Sequence, residues 1–195
     1  RMRTYPNAAQ GLHKVFLAQI LPVVGVVLVL FSLSSLQLMV MMTMVTVVLT
    51  IVSGILNLMG LYQARQDDQG YANAFYLVIA TLVVNVLANL LGSGFLSSLL
   101  SLVANVLNLA ILYLVCATTS LLLTSLGQEE LARKGHTVWM INLVCTVITV
   151  ACDLLAFIPV INLLTVPIML VTLIAALIGS VMYILFIYRA SKALA

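Results

Sequence analysis

Four asparagines stand inside apolar runs of the chain: Asn85 and Asn89 in "NVLAN", Asn105 and Asn108 in "NVLN". Spacings of four and three place each pair on one face of a helix. A carboxamide both donates and accepts, so such pairs can bind a small polar solute or staple helices to one another. Asp153, which shares its register with Asn89, and Asn162 can join them. An ionisable group inside an apolar segment is a site candidate by default. Asn85, Asn89, Asn105, Asn108, Asp153 and Asn162 therefore make up the candidate ligand-binding set, a polar pocket open to the outer side with Asp153 as its charge. The competing reading is structural, with interhelical amide bonds of about 0.6 kcal/mol each and Asp153 at a solvated helix end.

The remaining chemistry is thinner. Asn57, Asn142 and His136 form a second polar set toward the opposite end, which packing and capping explain. Met39, Met41, Met42 and Met44 in "MVMMTM" carry the soft thioethers that suit Cu(I). No His or Cys converges on them, and Met commonly fills gaps in apolar packing. His136 and Cys145 have the types of a base and a nucleophile. Their nine-residue separation, at 100° per residue, sets them on opposite faces of a regular helix. "EELAR" at 129–133 offers two acids with a single neighbouring His, and no Walker, dinucleotide, zinc or iron–sulfur motif is present. The expectation is a protein that is not an enzyme and that carries no cofactor and no metal.

The elements that must position these groups are membrane helices. The chain is 64% apolar and 7% charged, with a mean hydropathy of +1.26, far from the ~45–50% and ~25% of soluble domains. Apolar runs cover roughly 12–31, 37–62, 71–92, 98–124, 137–158 and 163–188. Each is about the 20 residues needed to cross a hydrocarbon core ~30 Å thick. Period-two alternation is absent, and only helices satisfy their backbone locally at these lengths. The fold class expected is all-α: a polytopic membrane protein whose six transmembrane helices form one domain, 1–195. Pro22 should kink the first helix, Pro159 falls at a turn, and Pro167 lies near the start of the sixth helix. The basic lead and apolar run at the start lack a small-x-small cleavage site, so they read as a retained first helix.

Charge orients the helices. Arg1, Arg3 and Lys14 precede or open the first run; Arg65, Asp67 and Asp68 separate the second from the third. Glu129, Glu130, Arg133 and Lys134 separate the fourth from the fifth, and Arg189 and Lys192 follow the sixth. All charges but Asp153 thus fall on one side, and "SLSSLQ", "GSGFLSS" and "FIPVINLL" on the other carry none. Lys and Arg in short loops mark the cytoplasmic face. A multi-pass protein of the cell membrane with both termini cytoplasmic is expected. A net charge of +3 is too small for a nucleic-acid footprint and too scattered for a polybasic lipid clamp. Cys116, Cys145 and Cys152 all lie inside apolar runs and imply no disulfide framework.

An internal repeat is also legible. "QGLHKVF" at 10–16, "QGYANAF" at 69–75 and "KGHTVW" at 134–139 each set a Gly ahead of an aromatic that opens an apolar run. Aligning Phe16, Phe75 and Trp139 gives three tandem helical hairpins, about 10–69, 70–134 and 135–195. Each carries a small pair in its second helix: Ser53 and Gly54, Thr118 and Thr119, Gly179 and Ser180. Helices in lipid associate where small residues admit close backbones.

Two functions fit. The first is a membrane transport component that binds a small solute in the outward amide cluster. The second is a non-catalytic structural or regulatory subunit whose apolar faces pack against a partner membrane protein. In size and helix count the chain is similar to the substrate-binding subunits of energy-coupling-factor vitamin transporters, a likeness of architecture alone, and its first helix lacks their small-xxx-small docking stripe. Mitochondrial-type carriers also use three hairpins, but their proline-plus-acid signature is absent, since Val-Val-Gly follows Pro22.

Overall fold

The computed structural model describes residues 4–31, 36–91, 95–155 and 162–195. They form six helices and no strand: α1 (Pro6–Phe31), α2 (Leu36–Ala64), α3 (Gln69–Leu90), α4 (Phe95–Ser125), α5 (Glu129–Leu155) and α6 (Asn162–Ala193). Five stretches are long and apolar enough to cross a membrane: Val40–Ala64, Gln69–Leu90, Leu96–Ser125, Glu129–Cys152 and Val171–Ala193. α1 is the sixth helix, with Asn7, Gln10, His13 and Lys14 in its first turns. It continues as helix through Pro22. Pro167 lies inside α6 near its start, and Pro159 lies outside the described residues.

Several helices outrun their apolar segments at the charged ends, for local reasons. Pro6 opens α1, where a missing N–H costs nothing and φ is already helical. α5 starts at Glu129 rather than at the apolar residues near 137. Glu129 and Glu130 there complement the helix dipole, and Lys134 Nζ pairs with Glu130 Oε1 at 2.9 Å one turn on. Asp68 caps α3, its Oδ1 accepting from Gly70 N at 2.7 Å. α4 ends in a Schellman motif: Gln128 N donates to Leu123 O (2.9 Å) and Gly127 N to Thr124 O (3.0 Å). Gly127 takes φ +76°, the left-handed conformation this motif requires of its C′ residue.

The chain divides into two compact units, Arg1–Ala72 with Ile187–Ala195, and Asn73–Phe186. In the first, α1 and α2 pack along a seam of small residues. A Cβ on Gly60 would lie 2.5 Å from Gly11 O, and one on Gly11 would press on Gly60 O and Ala64. Ser53 Oγ donates to Ala18 O at 2.6 Å, and Thr46 Oγ1 to Gly25 O at 3.2 Å. Gly11, Ala18 and Gly25 thus meet Gly60, Ser53 and Thr46, each set spaced by seven. The first helix does carry a small-residue docking stripe, at heptad spacing rather than the four-residue spacing of small-xxx-small, and α2 occupies it. A seven-residue period keeps one stripe on the seam between two helices. Ala8, Leu12, Val15, Ala18, Leu61 and Ala64 are fully or almost fully buried there.

In the second unit Gly135 of α5 seats against Ser120 of α4 and Phe186 of α6, and Ser120 Oγ donates to Ala132 O at 3.0 Å. Thr118 and Thr119 are buried beside it. Tyr113 and Trp139 meet edge-to-face with centroids 4.9 Å apart, and Gly179 of α6 lies against Ile141 and Asn142 of α5. Of the three small pairs, Ser53, both threonines and Gly179 are used in packing, while Gly54 has nothing within 4 Å. Met41, Met44, Val48 and Ile51 of α2 are more than half exposed, a surface suited to lipid chains.

Candidate functional site

Within the second unit α4, α5 and α6 enclose an open cleft of about 300 Å³, at the lower end of the ~300–1,000 Å³ usual for small-molecule sites. Asn105 and Asn108 of α4 face Asn142, Cys145, Thr146 and Thr149 of α5 across it, and Leu109, Leu112, Val150 and Ala176 supply its apolar wall. Asn142 Nδ2 donates to Val138 O (2.9 Å) and Thr149 Oγ1 to Cys145 O (2.9 Å), which leaves the Asn142 carbonyl and the Thr149 lone pairs. Asn105 and Asn108 have no hydrogen-bond partner among the described residues, and both are partly or fully solvent-accessible. Asp, Glu, Lys, Arg and His are absent from the described lining. The arrangement is an uncharged set of amides and hydroxyls beside an apolar wall, suited to a neutral molecule with hydroxyl or amide groups.

Of the expected site residues, Asn105 and Asn108 share this cleft. Asn85 and Asn89 of α3 do not line it. Both are exposed, and Asn89 Nδ2 is turned back onto Asn85 O at 2.9 Å. Ser97 Oγ of α4 reaches Ala88 O at 3.2 Å, a pairing that levels Asn89 with the first turn of α4 and leaves Asn105 about two turns deeper. Asp153 lies in α5 and Asn162 opens α6, and the side chains of both lie outside the described residues.

Asn142 is the member that sequence spacing missed. Measured from the apolar run at 137 it belongs near the charged side; measured from Glu129, the true start of α5, it lies about 20 Å along the helix at 1.5 Å per residue. Glu130 and Lys134, spaced i,i+4, were the available signal that the helix begins early. His136 is exposed on α5 whereas Cys145 is buried. Among the described residues no three His, Cys, Asp or Glu side chains come together.

The charged turn between α2 and α3 has its own structural work. Asp67 accepts from Ala8 N (2.7 Å) and Asn7 Nδ2 (3.0 Å), capping the first turn of α1, whose N–H groups have no partner within the helix. Arg65 lies over the Tyr62 ring at 3.8 Å. Compared with protein families, curated proteins and solved structures, the chain matches none, and its function has to be argued from its own residues.

Proposed function

We propose that this multi-pass membrane protein is a transport component that binds a small neutral polar solute between α4, α5 and α6. What carries the reading is the pair of amides on Asn105 and Asn108, left unspent by the protein and turned into the same cleft as Asn142. An unpartnered amide in hydrocarbon costs several kcal/mol, so such groups persist where water or a ligand replaces the missing bonds. Staples would be bonded across helices instead. The proposal includes α1 as a sixth span, three tandem hairpins, and both termini on the cytoplasmic side, the last supported by the distribution of Lys and Arg.

The test is native mass spectrometry of the purified chain with thermal unfolding against a panel of neutral polyols, amides and nucleosides. Wild type should carry or gain a small-molecule adduct. Asn105→Leu with Asn108→Leu should abolish it while leaving the unfolding midpoint unchanged or raised. Asn85→Leu with Asn89→Leu should keep it. A midpoint that collapses in the first variant, with no adduct ever seen in wild type, would return these asparagines to a packing role and remove the transport reading.

A further inference from the structure

A second cavity, of about 420 Å³, lies in the other unit between the first turns of α1 and the last turn of α6. Gln10, His13 and Lys14 line one side and Ser191 and Lys192 the other. The ends of the two helices are tied by Tyr5 N, which donates to Leu194 O at 3.1 Å.

The hydrogen bonds give this cavity a direction. Lys14 Nζ donates to Gln63 Oε1 (2.6 Å), and Gln63 Nε2 donates to Gln10 Oε1 (2.6 Å). An ammonium group has no acceptor, so Gln63 must turn its oxygen to Lys14 and its NH₂ to Gln10. Gln10 must then accept through its oxygen, which leaves its own NH₂ as the unspent group. Lys14 keeps two further N–H donors. Lys192 rests over the Tyr188 ring at 4.5 Å and has no hydrogen bond within the described residues. Ser191 has already given its proton to Tyr188 O at 2.8 Å.

Among the described residues no Asp or Glu side chain answers this set, and Ala9 and Ala195 complete the lining. The ion pair of Lys134 with Glu130 lies outside this unit, in Asn73–Phe186. In this unit Asp67 spends both oxygens on Asn7 and Ala8, and Asp68 Oδ1 caps Gly70. Two ammonium groups and an amide NH₂ therefore converge on a space that no described Asp or Glu side chain lines. Beside it Tyr188, which lies under Lys192, stacks on Phe16 with centroids 5.0 Å apart, and Phe16 lies 6.0 Å from His13. Aromatic rings beside cations at the ends of apolar helices mark the headgroup level of a bilayer.

The geometry points to a binding site for the phosphate of an anionic phospholipid, held by Lys14, Lys192 and the Gln10 amide at the junction of α1 and α6. The lipid, rather than free phosphate, is the occupant because the cavity sits at the end of two membrane helices and has the Tyr188 and Phe16 rings beside its lining residues. The site is independent of the α4–α5–α6 cleft.

The full chain in nanodiscs of mixed phosphatidylglycerol and phosphatidylcholine tests it, with retained lipid read by native mass spectrometry and affinity by titration. Phosphatidylglycerol should be retained over phosphatidylcholine. Lys192→Gln, at an exposed side chain without a protein hydrogen bond, should weaken it about fivefold, and Lys14→Gln with Lys192→Gln about 25-fold. Lys134→Gln, which removes a lysine elsewhere, should change nothing. Inorganic phosphate at millimolar concentration should neither displace the lipid nor shift the unfolding midpoint. Equal retention of the two lipids, undiminished binding in Lys192→Gln, or saturable binding of free phosphate in place of the lipid would each overturn the assignment.

Discussion

Gly60→Ala and Gly54→Ala make the same chemical change six residues apart in α2, and the structure sets their outcomes in opposite directions. At Gly60 the new Cβ would lie 2.5 Å from Gly11 O, 2.9 Å from Val15 Cγ2 and 3.1 Å from Val15 N. Two of those three atoms are backbone, so no side-chain rotation relieves the clash. Restoring ordinary contact of ~3.3 Å or more requires the helices to part by roughly 1 Å. A gap of that size forfeits about a quarter to a half of each dispersion contact it opens, along a seam where Leu12, Val15, Leu61 and Ala64 are buried. Overpacking of this kind costs about 1–3 kcal/mol. Gly54 has open space on every side, so Ala there brings only the gain in helix propensity, ~0.5–1 kcal/mol. Because both sites share one helix, that gain cancels in the comparison, and the crossing term remains. For a chain of this length about 2 kcal/mol corresponds to ~4–8 °C. Unfolding midpoints in detergent, taken at one scan rate, should therefore put Gly60→Ala below wild type and Gly54→Ala at or above it. A Gly60→Ala midpoint equal to or above that of Gly54→Ala would refute the small-residue seam as the basis of the α1–α2 pair.

Asp67→Ala removes the acceptor of Ala8 N and Asn7 Nδ2 and should lower stability by about 0.5–2 kcal/mol, the usual loss of a helix cap. Asp67→Asn, which keeps one acceptor oxygen, should lose less in the same melt. A cysteine placed by Gln66→Cys, at an exposed position of the α2–α3 turn, should resist impermeant thiol reagents in intact cells and react after permeabilisation. The native Cys116, Cys145 and Cys152 are buried and should add little background. Ready labelling in intact cells would reverse the orientation proposed for the chain.

Much of the fold was legible because its causes are local. Backbone hydrogen bonds cannot be left open in hydrocarbon, so a chain with six apolar runs has to be helical, and six helices are found. Part of the charged knot at residues 65–68 is accounted for by neighbours near in sequence, since Asp68 caps α3 and Arg65 stacks on Tyr62, whereas Asp67 caps α1 about 60 residues away. The heptad stripe on α1 was legible too, but only at the right period: Gly11, Ala18 and Gly25 escape a search for small residues four apart. The candidate site was half legible. Periodicity paired Asn105 with Asn108, because i,i+3 residues share a face in any helix. It could not say which neighbouring helix each asparagine pair would meet. The α4 pair entered the cleft with Asn142, and the α3 pair lay outside it.

By itself the sequence determined the all-helical membrane class, the helix number and the clustering of charge at one set of helix ends, because desolvation of backbone and of charge acts residue by residue along the chain. Only the tertiary structure decided which polar groups share a space. Lys14 and Lys192 stand near opposite ends of the chain and look scattered in it, yet the packing of α1 against the end of α6 sets them across one cavity. Such a juxtaposition follows from interhelical contacts at long sequence separation, of which single-helix periodicity carries no trace.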